Sequence, residues 1–283
     1  MSLGWINPDD FSFNSFLLME RFQIRMMFDS GGWRNDKAEW RQAMGIALNA
    51  NPAVRWYFEN KCPEIVETVR DIASAVSAAT DASGLPVEIR KAEIYALSSV
   101  EDFVLYTRPH LMDRNCSFIY AWEKRRLFEM ADFRGKTILD VGSGSGRLAF
   151  AAAEQAEWVY ASEPVDSLRE YLRDKIAREN IKNMRVVDGM ADNLAYPDST
   201  FDIVMSGHVV GDDWDAETAE LERVCKSGGW LLDCPGDEAP IGACGSGKRH
   251  EESPELVKRG WEPMHYTGTL GGEVYRYRKQ VVK

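Results

Sequence analysis

The period of apolar and polar positions changes near residue 135. Before it, from about 10 to 131, apolar side chains recur at helical spacing with little strand alternation. Phe11, Phe13, Phe16, Leu17 and Phe22 form an aromatic, amphipathic start, which the Gly31-Gly32 pair breaks. A helix is predicted over about 37–49. Pro52 and Pro63 then stand where first-turn prolines open two more, AVRWYFENK and EIVETVRDIASAVSAAT. Ile65, Val66, Val69, Ile72, Ala73 and Val76 give the second of these a stripe that needs one buried face. Gly84, Leu85 and Pro86 are read as closing it, with further helices over 89–98 and 120–130.

After residue 135 short apolar runs alternate with amphipathic ones. TILDV, 158–162, MRVVDGM, 201–205 and 230–234 read as buried strands; 147–155, EPVDSLREYLRDK and 216–225 read as the helices between them. Two last strands, 260–266 and 273–282, are joined by TGTLGG, with Tyr275 and Tyr277 on one face and Arg276 and Arg278 on the other. The pattern is α/β, a Rossmann-like, doubly wound, mostly parallel sheet with an antiparallel C-terminal hairpin, preceded by an all-helical N-terminal domain. The domains divide as 1–117 and 118–283.

Composition narrows the function classes. A net charge of -11 disfavours a broad phosphate-binding face, so no nucleic-acid partner is expected. The five cysteines Cys62, Cys116, Cys225, Cys234 and Cys244 are scattered without a CxxC pair, which suits free thiols and a cytoplasmic location. The acidic, proline-interrupted N-terminus is unlike a signal peptide, and no apolar run is long enough for a membrane span.

The chemistry concentrates at DVGSGSG. Gly142, Gly144 and Gly146 lie between a strand and a helix, where a ligand approaches main chain without meeting a Cβ. A dinucleotide fingerprint would read GxGxxG; here the third glycine comes one residue early and Arg147 follows it. Asp140, two residues before the first glycine, would repel a diphosphate and welcome an ammonium or a water. The pattern DxGxGxG resembles the class I S-adenosylmethionine (SAM) dependent methyltransferases, in their UbiE-like (type 11) group. The resemblance covers about 135–283 and extends to Glu163, 17 residues beyond Gly146, to Gly189, Ala191, Leu194, Pro197, Asp198, Phe201 and Asp202, and to RVCKSGG. It implies a seven-stranded sheet and S-adenosyl-L-methionine as cofactor. Asp140, Gly142, Ser143, Gly144, Gly146, Ser206 and Gly207 would hold the methionine end, and Glu163 with Pro164 the ribose. Near the adenine stand Met190, Ala191 and Asp192. Met190 departs from the family's acidic residue, and a thioether is a poor acceptor, which passes the adenine amine to Asp192.

The C-terminal end of the fourth strand is where an open α/β sheet places its ligand crevice, so SGHVVGDDWD occupies the reactive position. His208 is a candidate general base or a packed histidine; Asp212 and Asp213 bind a cationic or hydroxylated acceptor or cap the next helix. SGHV replaces the [DNS]PP[YFW] tetrad of methyltransferases that act on the amines of bases. Ahead of the core, Tyr106, His110, Arg114 and Tyr120 are candidates for lining the acceptor site. GACGSGKR mimics a phosphate loop but continues with Arg249 and lacks a preceding strand; Cys234, Cys244 and His250 have no zinc spacing, and no metal is expected. The expectation is an enzyme, a SAM-dependent methyltransferase acting on a small-molecule acceptor by in-line displacement. A protein methyltransferase docking through the helical domain, or an inactive SAM-binding module, stays open. The helical part is a lid or a homodimerising bundle.

Overall fold

The structure is a computed structural model; it describes residues 12–30, 37–77, 86–98, 100, 109–115, 119, 121–236, 252–269 and 271–283. The chain divides into two compact units, Met1–Arg108 and Pro109–Lys283.

The described part of the first unit is helical. A 3-10 turn (Phe13–Leu18) precedes α1 (Arg21–Ser30), α2 (Lys37–Ala50), α3 (Pro52–Lys61), α4 (Val66–Ser77) and α5 (Pro86–Ser98). Its core is aromatic: Phe58 meets Phe16 and Phe28 edge-on at 5.6 and 5.5 Å, and Phe28 meets Trp40 at 5.6 Å. Pro52 takes the first turn of α3, while Pro63 opens a single 3-10 turn from which α4 continues. One expectation is corrected here. Pro86 does not close the preceding helix but opens α5, because its missing N–H falls among donors that a first turn leaves unpaired anyway.

The second unit opens with α6 (Pro109–Asn115) and α7 (Arg125–Phe128). The helix expected over 120–130 shrinks to that one turn, with Trp122 and Glu123 before it in irregular backbone. There follow β1 (Thr137–Val141), α8 (Arg147–Ala153), β2 (Trp158–Ser162), α9 (Asp166–Glu179), β3 (Met184–Val187), β4 (Phe201–Ser206), α10 (Trp214–Val224), β5 (Cys225–Asp233), α11 (Pro254–Lys258), β6 (Glu262–Thr267) and β7 (Glu273–Gln280). The seven strands form one sheet in the order β3-β2-β1-β4-β5-β7-β6. The first five are parallel to their neighbours, and β7 runs antiparallel to both β5 and β6. This is the doubly wound sheet with an antiparallel hairpin that the period change predicts. Successive residues of β1 serve opposite faces: Ile138 joins the cluster with Leu148, Val159 and Leu172, and Leu139 the one with Val204, Leu221 and Leu231.

Two boundaries move. β5 begins at Cys225 rather than Trp230, since Cys225 pairs with Phe201 across a register irregularity in β4. α11 falls where no helix was expected; Ser253 caps it, its Oγ accepting from Leu256 N–H at 3.4 Å, and Pro254 fills the first turn. Among the described residues no helix is long and apolar enough to cross a membrane.

Candidate functional site

The site is built where β1, β2 and β4 end. After β1 the chain turns through Gly142–Gly146 into α8, pinned to the neighbouring strand because Ser143 N–H donates to the Ser162 carbonyl at 3.0 Å. Two glycines of the turn do different work. Gly146 caps α8 with φ 94°, and a Cβ there would lie 2.6 Å from Phe150 and 2.7 Å from Leu172. Gly144, at φ 55°, faces open space: nothing lies nearer to its absent Cβ than Met112 Cε at 3.9 Å. The first closes the packing beneath the turn, and the second leaves the ligand side clear.

Glu163, directly after β2, is 4% exposed, which excludes a solvated loop acid. Gly144 N–H donates to its Oε2 at 2.8 Å and Val165 N–H to its Oε1 at 2.9 Å. Arg169 Nη1 donates to its carbonyl at 2.6 Å. The carboxylate thus ties the glycine turn to the end of β2. Pro164, next to it, is half-buried.

Asp140 lies on β1, 1% exposed, and its Oδ2 has no hydrogen-bond partner. Burial pushes its pKa up to about 7, against the pull of the Ser143 hydroxyl and the Arg147 charge. Among the described residues neither that Oδ2 nor the equally buried hydroxyls of Ser162 and Ser206 have a partner. Buried polar atoms without partners are uncommon in folded proteins and are completed by a bound water, an ion or a polar ligand.

Ser206 ends β4, its carbonyl accepting from Cys234 N–H at 2.7 Å. Gly207 and His208 follow. His208 holds φ 65°, a left-handed conformation that costs a non-glycine residue free energy, and its Nε2 accepts from Gly236 N–H at 3.1 Å. Asp212 is exposed; Asp213 caps α10, accepting from Ala216 N–H at 3.0 Å. Glu217, 6% exposed, accepts from Gly211 N–H at 2.7 Å and so anchors the same loop from α10, its carboxyl pKa raised by burial. Sequence reasoning missed Glu217; an acid in the first turn after the β4 loop was the available signal.

Of the residues expected near the adenine, Met190 and Ala191 are half-buried, and Met190 bridges to Asn193. Asp192 is exposed. Of the residues considered for the acceptor, Tyr106 and Tyr120 lie outside the described residues, as do Cys116, Cys244, His250 and the GACGSGKR stretch. His110 and Arg114 are exposed on α6. That helix meets the site through other residues: Met112 is buried near Gly144, and Tyr171 donates its hydroxyl to Asp113 at 2.5 Å. Lys175 lies 3.6 Å from Asp113 and donates to the Ser145 carbonyl at 3.2 Å, joining α6, α9 and the glycine turn. Among the described residues no group of His, Cys, Asp and Glu is arranged to hold a metal ion.

Comparison with known proteins agrees with this geometry. Residues 138–229 match the model of a methyltransferase domain family. The chain is 28% identical over 195 residues to an uncharacterized methyltransferase of Schizosaccharomyces pombe, covering 65% of this chain and 66% of that one. It is 30% identical over 117 residues to a ubiquinone/menaquinone biosynthesis C-methyltransferase UbiE of Marinomonas, covering 39% of this chain and 47% of that one. A SAM-dependent methyltransferase of Aquifex aeolicus aligns over 61% of this chain and 96% of its own at TM-score 0.48 and 18% identity. The chain therefore spans about half to two thirds of the length of the curated relatives it matches. With a glycine turn between β1 and α8, an acid closing β2 and a family match across residues 138–229, the second unit carries a methyltransferase domain, similar to the class I SAM-dependent enzymes, whose cofactor is S-adenosyl-L-methionine.

Proposed function

We propose that the chain transfers a methyl group from S-adenosyl-L-methionine to a small-molecule acceptor. The observations that carry this are three buried polar atoms without partners among the described residues, Asp140 Oδ2 on one face of the sheet and Ser162 Oγ and Ser206 Oγ at strand ends flanking Val141, at the edge of the sheet where the glycine turn leaves β1 and Gly144 has open space before it. These atoms fit the methionine and ribose ends of the cofactor, whose ammonium and hydroxyls supply the missing donors. When bound, the cofactor contributes a methyl carbon activated by its sulfonium.

In this proposal the chain's own residues bind, orient and exclude water. Asp140 takes the ammonium and stays ionised because of it; Glu163 accepts the ribose hydroxyls while holding Gly144 in place. His208 stands at the end of β4 with Nε2 already accepting a backbone N–H, so the imidazole is neutral with its proton on Nδ1. It removes a proton from the acceptor only by exchanging the Gly236 N–H for the acceptor's O–H or N–H. Proximity and desolvation do the rest of the work. A small molecule is favoured over a macromolecule by the net charge of -11 and by relatives named for ubiquinone/menaquinone biosynthesis.

Calorimetric titration with S-adenosyl-L-methionine tests the cofactor half. Glu163→Gln, which keeps the shape and loses the charge, is expected to weaken binding by about 2 kcal/mol; unchanged affinity removes Glu163 from the site. Labelled methyl is expected in the small-molecule fraction of a cell extract. Label confined to protein or nucleic acid overturns the acceptor class. His208→Ala is expected to depress kcat far more than cofactor affinity, and equal turnover returns His208 to a structural role.

A further inference from the structure

One group of residues in the second unit is not used by the proposed cofactor contacts. Five side chains interleave from the surface inward: Arg126 lies over the Tyr266 ring at 4.6 Å, Arg276 over the same ring at 5.2 Å and over Trp122 at 5.8 Å, and Arg147 over Trp122 at 4.8 Å. The outer member faces carboxylates: Arg126 pairs with Glu123 and Glu129. The inner member has no such ion pair among the described residues. Arg147 Nη2 donates to the Cys234 carbonyl at 2.5 Å, and its Nη1 is buried with no partner among the described residues.

Two like charges stacked on one indole repel, and removing both from water adds to the cost. Burial, followed by the Arg276 charge, holds the Arg147 pKa down to about 10, still cationic at neutral pH. A cation in such a place is stabilised by an anion, and among the described residues no carboxylate forms an ion pair with Arg147. Asp140 is the carboxyl that acts on Arg147 from the cofactor side, and its own pKa stands near neutrality.

The position of the guanidinium fixes what that anion belongs to. Arg147 Nη2 comes within 2.8 Å of where a Cβ on Gly207 would be, and its acceptor, Cys234, follows β5. Arg147 therefore spans the C-terminal ends of β4 and β5, beside Ser206 and on the crevice side of the sheet, where the reacting acceptor belongs. An arginine with one amino group engaged and the other free binds an oxyanion in a fixed orientation.

Resting on the methyltransferase proposal, we infer that Arg147, backed by Trp122 and the charge of Arg276, is the recognition site for an oxyanion, a carboxylate or a phosphate, carried by the methyl acceptor. The anion orients the acceptor from the β5 side while its nucleophile faces the cofactor.

The test uses the full chain saturated with S-adenosylhomocysteine and two probes, benzoate and inorganic phosphate, titrated separately by calorimetry. Saturable binding of either is expected, the one that binds naming the oxyanion. Arg147→Gln is expected to weaken it at least tenfold, Arg147→Lys less, with S-adenosylhomocysteine affinity in both within twofold of the unaltered chain. Binding equal in Arg147→Gln and the unaltered chain overturns the assignment. So does the absence of binding by both probes in the unaltered chain, a result that does not depend on how the variants fold. If S-adenosylhomocysteine itself fails to bind, the methyltransferase proposal falls with it, and the two failures are told apart in the first titration.

Discussion

Asp140 shows what the site costs one residue at a time. Its pKa rises from 3.8 to about 7 because the folded chain strips water from the carboxylate. Between those values the folded chain binds more protons than the unfolded one. The stability present below about pH 4 is therefore lost as pH rises through about 7, with a ceiling of about 4 kcal/mol. Asp140→Asn is expected to remove that slope from urea melts of the ligand-free chain between pH 5 and 8; an unaltered slope rejects the assignment. The two glycines predict opposite failures. Gly146→Ala drives a methyl into Phe150 and Leu172 and is expected to lower stability by about 1–3 kcal/mol. Gly144→Ala meets open space in the chain, so beyond the backbone strain of about 1 kcal/mol at its φ of 55° it is expected to act mainly on cofactor affinity. Cys62, Cys225 and Cys234 have thiols pushed up to about 12 by burial. Mass spectrometry after brief alkylation of the native chain is expected to find those three unlabelled.

At the scale of elements, the loop between β4 and α10 is held from the helix. Asp213 caps α10 and Glu217 takes the Gly211 N–H, so the loop that presents His208 is fixed by two carboxylates. Asp213→Ala is expected to cost about 1 kcal/mol, read by chemical denaturation, without moving cofactor affinity. The strands were legible because apolar runs at 137–141, 158–162 and 201–205 end at a glycine turn, at Glu163 and at Ser206, while their order in the sheet came from the structure. What the sequence hid follows a physical pattern. Pro86 is punctuation in either direction, and only packing decides that it opens α5. Residues 120–130 have helical composition, but Trp122 stacks with Arg147 and Arg276 while the helix holds one turn. On α6 the polar residues His110 and Arg114 drew attention, whereas Met112 and Asp113 meet the glycine turn and α9. Arg147 itself was visible only as the residue that spoils a dinucleotide fingerprint; its burial depends on Cys234, Trp122 and Arg276, which lie far away along the chain.

On the scale of the whole molecule, each unit has its own apolar core, aromatic in the first and two-faced around the sheet in the second. A fragment spanning 109–283 is expected to fold cooperatively and to bind S-adenosylhomocysteine, checked by thermal melting with and without ligand; an insoluble fragment would show that the second core depends on the first. The sheet order also dictates a sequence of events during folding. β6 is made before β7, yet it is β7 that lies against β5, so β6 finds no place in the sheet until β7 exists beside it. β6 therefore joins the sheet together with β7 or after it, and until β7 docks the β5 edge stands open to any other strand. Nascent or partly unfolded chains would then be most prone to stick to one another along β5, and a chaperone or a crowded cell would meet this protein at that edge.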